Sequence, residues 1–195
     1  MPRATSFTAD TLADRALLHF WVHGFHAASM DDLVRATGVS RHGIYATFGG
    51  KKALFLACFE RYQQTVVTPA FARVEAPGAD LAEVAAYFET QIAQGEAAGL
   101  PGPGCFVANA ATEVAPSDAE VAAKVAQHNA RLKAGFSGVL QRVAPSLAED
   151  TRSSLAEVMV VFTTGLWTLS RCTSDAETLR RAVRRFLQLI KGVAG

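Results

Sequence analysis

Residues 29 to 51 hold the densest run of groups able to do chemistry. Arg41, His42, Tyr45 and Thr47 follow Ser40 within one short stretch, Gly43 leaves the backbone bare between them, and Lys51 comes just after Gly49-Gly50. Guanidinium, imidazole, phenol, hydroxyl and ammonium groups at this spacing suit hydrogen bonds to phosphates and base edges. Arg41 has the chemistry for bidentate reading of guanine or for a phosphate contact, and the sequence leaves both open. Gly49-Gly50-Lys51 is not a phosphate-binding loop, because that pattern needs glycine where Tyr45 stands and Ser or Thr where Lys52 stands.

The remaining chemistry is sparser. His19 and His23 lie four apart, but no acid or cysteine at ligand spacing accompanies them or His26, so no metal and no cofactor is expected. Cys105 follows Pro101-Gly-Pro-Gly104, which places it near a helix N-terminus where the dipole would stabilise a thiolate. It reads either as a sensor of electrophiles or oxidants or as a small buried residue. Cys58 and Cys172 read as core. Phe88, Cys105, Phe106, Asn109, Glu113, His128, Phe136, Phe162 and Trp167 could line a small-molecule pocket, with Asn109 and Glu113 sharing a helix face. The aromatic members read equally as ordinary core. A nucleophilic enzyme built on Cys105 would need a base beside the thiol, and the only histidine outside the N-terminal part is His128, with no motif joining the two.

The elements that must position these groups are helices. Thr8 to His23 places Leu12, Ala16, Leu17, Phe20 and Trp21 at helical spacing and stops at Gly24. Ser29 with Asp32 three residues on opens a second helix that ends before Gly38, and Ser40 caps a third, Arg41 to Thr47, closed by Gly49-Gly50. This is the layout of a helix-turn-helix, though spacing alone leaves a plain helical hairpin open. A long helix starts at Lys51 and either runs or kinks through Pro69 before the Pro77-Gly78 break. Alanine-rich helices follow over Asp80 to Ala98 and Ser117 to Val143, with a short piece from Cys105 to Val114 between them, then helices at Glu149 to Arg171 and Ala176 to Lys191.

Composition agrees. With 195 residues, half of them hydrophobic and 19% charged, the chain has the material for a sizeable core and is too apolar for a disordered segment. The net charge of +1 supplies no global field, so binding to a polyanion must come from a local patch. Three cysteines without metal-ligand spacing, and no signal-peptide segment, suit a reducing compartment, and the cytoplasm is expected. No apolar run is long enough to span a bilayer.

Gly24-Phe25, Ser29, Thr37-Gly38-Val39-Ser40-Arg41 and Tyr45-Ala-Thr-Phe48-Gly-Gly-Lys51-Lys-Ala-Leu54-Phe55 closely resemble the DNA-binding domain of the TetR/AcrR family of bacterial transcriptional regulators. The sequence departs from that pattern at Ala28, where threonine is common, and at Thr37, where alanine is common. The resemblance implies an all-α protein: a three-helix DNA-binding domain with helix-turn-helix over 1–52, joined by a connecting helix to a ligand-binding and dimerisation bundle over 53–195. It puts Ser40, Arg41, His42, Tyr45 and Thr47 on the DNA-facing helix and makes Lys51 a phosphate contact. His42 and Gly43 occupy variable positions that would set operator preference, and Ser29 completes the DNA-binding set as a cap. It further implies a homodimer formed through the last two helices, whose apolar positions include Leu155, Val158, Met159, Phe162, Leu166, Leu179, Val183, Phe186 and Ile190. The partners expected are double-stranded operator DNA and a small-molecule effector, the function that of a ligand-responsive regulator, typically a repressor, with thiol sensing through Cys105 as the alternative.

Overall fold

The computed structural model describes residues 7–194 and contains no strand among them. Ten α-helical segments follow one another: α1 (Ala9–His23), α2 (Met30–Thr37), α3 (Arg41–Phe48), α4 (Lys51–Tyr62), α5 (Thr68–Glu75), α6 (Leu81–Ala98), α7 (Phe106–Glu113), α8 (Ala119–Val143), α9 (Glu149–Leu169) and α10 (Ala176–Ala194). The all-α expectation holds.

The first three helices start and stop where their caps dictate. Thr8 and Ser29 each close a reciprocal capping box, with Thr11 and Asp32, and Ser40 accepts from the backbone N–H of Gly43. Gly38 ends α2 at φ 72°, a left-handed conformation that a side chain would strain. The buried Thr37 hydroxyl donates to Leu33 O and accepts from Val39 N, while Arg15 donates to Thr37 O at 2.7 Å. The threonine at this unusual position therefore locks the turn between α2 and α3.

Between α4 and α5 the helix does not break. Residues Gln63–Val67 form a π-helical turn, and the rod continues from Lys51 to Glu75. Pro69 explains it. Proline lacks an N–H and its ring presses on the carbonyl four residues back, here Thr65, so a widened turn at that point relieves the clash without ending the helix.

Around this rod, α1 packs along α4, and α5, α6, α8, α9 and α10 form the bundle. Phe20, Phe25, Phe55, Phe59, Tyr62 and Phe106 pack edge to face, tilted or, for Phe20 and Phe25, stacked across the junction of α1, α4 and α7. Continuous aromatic core thus runs from the N-terminal helices into the bundle. No described helix is long and apolar enough to cross a membrane.

Candidate functional site

Two features stand out, one on the surface and one inside. On the surface, α3 buries only Ile44, and Arg41, His42, Tyr45 and Thr47 are exposed. Arg41 pairs with Asp31 of α2 at 2.9 Å, and the Thr47 hydroxyl donates to Gly43 O. A Cβ on Gly43 would lie 2.7 Å from a Val39 methyl, so this position is small because α3 packs closely on the turn, not only because an approaching surface needs bare backbone. Lys51 opens α4 below this face, half-buried, its Nζ 4.4 Å from the centre of the Phe25 ring. Desolvation lowers its pKa, a tendency that nearby Glu113 opposes. No carboxylate is within ion-pairing distance of Lys51 among the described residues, which leaves a partly desolvated cation beside the exposed helix.

Inside, a cavity of about 750 Å³ lies between the π turn, α5, α6, α7, α8 and α9. Tyr62, Tyr87, Trp167 and, from α1, Trp21 contribute aromatic faces; Thr163, Thr164, Gln91, Gln94 and Asn129 contribute polar groups. The Trp21 indole donates to Gly104 O at 3.0 Å and its ring meets Tyr62 edge-on. The volume falls within the range of small-molecule sites, roughly 300–1,000 Å³.

These features match known proteins. The family model for bacterial regulatory proteins of the tetR family matches residues 12–58. The HTH-type transcriptional repressor ComR of Escherichia coli is 31% identical over 120 residues, 62% of this chain but only 57% of that repressor. The uncharacterized HTH-type transcriptional regulator YezE of Bacillus subtilis is 27% identical over 188 residues, covering 92% of this chain and 94% of that one. A cysteine mutant of the TetR family regulator CifR, solved with 26-base-pair operator DNA, superposes with a TM-score of 0.79 at 26% identity, over 96% of this chain and 98% of that one. The chain carries a tetR-family DNA-binding domain over residues 12–58 and has the fold of TetR-family regulators along nearly its whole length. It is a DNA-binding transcriptional regulator.

The structure sorts the nine pocket residues expected from sequence. Cys105, His128 and Trp167 line the cavity. Phe88, Phe106 and Phe136 do not: they are fully packed core, Phe88 against Phe162 and Trp167, Phe136 edge-on to Phe71, and Phe106 in the junction cluster. Phe162 lies flat on Phe186 at 3.8 Å, joining α9 to α10. Asn109 and Glu113 do share a face of α7, but it meets α1 rather than the cavity. Asn109 donates to Pro103 O and accepts from Arg171, and the Glu113 carboxylate accepts the backbone N–H of Phe25 at 2.9 Å and of His26 at 2.7 Å. Gly24, at φ 84°, leaves room for that carboxylate; a Cβ there would sit 2.7 Å from Oε2. Trp21, Tyr62 and Tyr87 were missed as lining because an aromatic facing a void has the same helical spacing as one facing core.

The thiols also depart from expectation. Cys105 is the N-cap residue of α7, as the sequence suggests, yet burial outweighs the helix dipole and pushes its thiol pKa up; Tyr62 donates to its Sγ at 3.5 Å. Cys172, expected in the core, is exposed in the turn after α9. Cys58 is buried beside Ala13 O, and burial raises its pKa strongly. With an aromatic disulfide reagent at neutral pH, Cys172 is expected to react first and Cys58 only on unfolding. A Cys172→Ser variant that still releases one thiol equivalent rapidly would show Cys105 to be open through the cavity.

Proposed function

We propose that this TetR-family chain acts in the cytoplasm as a homodimeric repressor that binds a palindromic operator and leaves it when a small molecule occupies the bundle cavity. The observation carrying the DNA side is α3, a capped helix with one buried residue and a polar outer face, standing beside Lys51. Ser40, Arg41, His42, Gly43, Tyr45 and Thr47 would meet the major groove, Ser29 would hold α2 in register, and Lys51 would meet a phosphate. Arg41 would exchange Asp31 for DNA on binding. The cavity supports the effector side, since a ligand there touches the π turn of the rod that begins at Lys51. Release follows only from a ligand that prefers the arrangement unable to bind DNA.

Dimerisation through α9 and α10 is supported by apolar side chains left exposed there: Val158, Val161 and Leu169 on α9, Leu189 and Val193 on α10, with Val161 71% exposed. These replace most of the expected interface set, because Met159, Leu166, Leu179, Val183, Phe186 and Ile190 are buried within the protomer. Arg180 is held by Glu89 and Glu96 of α6 and so serves the protomer rather than the interface.

Catalysis finds no support. The only side-chain partner of the Cys105 thiol among the described residues is the Tyr62 hydroxyl, whose pKa burial raises well above its ordinary value, which makes it no base at neutral pH. The same raised thiol pKa weighs against a primary thiol sensor, and Cys105→Ser is expected to leave effector response largely intact.

Selection of bound sequences from a random duplex library tests the DNA reading; an enriched palindrome supports it, and no enrichment by folded dimer at low salt would sink it. With the selected operator in hand, Lys51→Ala is expected to weaken binding about equally on all sequences and reduce the slope of log affinity against log salt by about 1. An unchanged slope would remove Lys51 from the phosphate role.

A further inference from the structure

The charge inventory of the cavity is one-sided. No aspartate, glutamate or lysine lines it, and its one guanidinium, Arg73, lies 3.4 Å from Glu83. A cationic ligand would meet no carboxylate, and an anionic one would meet only an arginine already paired.

His128 of α8 borders this cavity on one side and, on the other, a small hollow formed with Gln63, Arg131 and neighbours. Its tautomer is fixed by a relay. Arg131 is gripped by Glu75 through two hydrogen bonds of 2.7 and 2.8 Å, and its Nη1 donates to the Thr68 hydroxyl at 2.9 Å and reaches Gln63 Oε1 at 3.5 Å. The Gln63 amide is thereby turned so that its NH₂ faces His128, with Nε2 2.8 Å from Nδ1. An amide NH₂ can only donate, so Nδ1 accepts and the ring proton resides on Nε2. Gln63 lines the small hollow and not the main cavity, whereas His128 borders both, which leaves Nε2–H as the ring donor free to serve the cavity. No other described side chain bonds that nitrogen. Burial, assisted by the Arg131 cation, pushes the ring pKa down to about 4, which keeps the donor neutral at physiological pH.

Resting on the cavity as the effector site, we propose that it selects uncharged, flat, mainly apolar molecules carrying a hydrogen-bond acceptor of the carbonyl type, and that His128 Nε2–H donates to that acceptor. Trp21, Tyr62, Tyr87 and Trp167 supply the faces for the flat part. A neutral donor discriminates through desolvation: one hydrogen bond offsets the small cost of burying a carbonyl oxygen, but not the much larger cost of stripping a carboxylate of its hydration.

The test uses one naphthalene frame in several forms, titrated into the full chain by calorimetry: 6-propionyl-2-(dimethylamino)naphthalene, the 6-carboxylate in place of the ketone, the trimethylammonium salt of the ketone, and 2-(dimethylamino)naphthalene without an acceptor. The ketone is expected to bind about tenfold or more tighter than either charged form. His128→Leu should weaken the ketone about tenfold while leaving the acceptor-free compound unchanged, and His128→Gln, which restores a donor, should recover part of the loss. Nitrogen-15 NMR of the unmutated protein should show His128 protonated on Nε2, a readout independent of whether the variants fold.

Carboxylate binding equal to the ketone's, tighter binding of the ammonium in an aromatic cage, a ketone advantage surviving in His128→Leu, an Nδ1–H tautomer, or no heat from any compound would each overturn the proposal. DNA release is scored separately. A ketone bound as described that leaves operator binding intact would remove the effector reading and keep the cavity chemistry; carboxylates that bind preferentially and release DNA would do the reverse.

Discussion

Phe106→Ala is expected to destabilise the protein by about 3–5 kcal/mol, lowering the melting temperature by roughly 6 to 20 °C for a chain of this size. Phe106 is 1% exposed, and its ring lies 5.0 to 5.6 Å from those of Phe59, Phe55 and Tyr62. Truncation would leave a void where α7 meets α4, walled by other rings that cannot collapse inward, and the cost therefore falls toward the upper end for such deletions. Thermal unfolding followed by circular dichroism measures it. A pocket-lining phenylalanine would behave differently, with a small loss of stability and a large change in ligand affinity. A shift under about 1 kcal/mol would thus return Phe106 to the cavity wall, where its sequence position first suggested it. Phe106→Leu, which keeps most of the volume, should recover the larger part.

Phe106 also marks the limit of what the sequence discloses. The helices, their caps at Ser29 and Ser40, and the exposed face of α3 were legible because each depends on residues within a few positions of one another. Whether an apolar aromatic fills core or faces a void depends on how helices cross, and neighbours along the chain do not encode that. Phe88 and Tyr87 are adjacent, yet only Tyr87 borders the cavity. Pro69 was visible as a disturbance, but whether the helix would break or widen depended on the packing of α5 against α6 and α8. The tautomer of His128 needed three more side chains, one of them fifty-three positions upstream at Glu75. Cys172 read as core from its apolar surroundings, although α9 ends before it and the turn turns it outward.

The second large effect concerns Glu113, whose position four residues after Asn109 was legible but whose partners, 87 and 88 residues away, were not. Its carboxylate ties the backbone after α1 to the end of α7, and Cys105, the N-cap of α7, is on the cavity wall. One eight-residue helix therefore touches both the cavity and the N-terminal helices. In Glu113→Ala the N–H groups of Phe25 and His26 lose their acceptor, at a cost of about 1–3 kcal/mol, and Lys51 loses the charge that offsets its desolvation. Because only one side of the junction loosens, the expected outcome is a split between two DNA affinities. Binding to an isolated half-site, which needs one copy of α3 with its Lys51, should fall less than about threefold. Binding to the proposed palindrome, which in the proposed dimer needs both copies of α3 held at a fixed separation, should fall about tenfold or more, since the ordering lost at the junction must be supplied on binding. Glu113→Gln keeps one acceptor oxygen and should fall between. Equal losses on half-site and palindrome would mean that Glu113 supports the fold of the N-terminal helices only. A palindrome affinity unchanged from the original chain would mean that the aromatic junction alone sets their orientation.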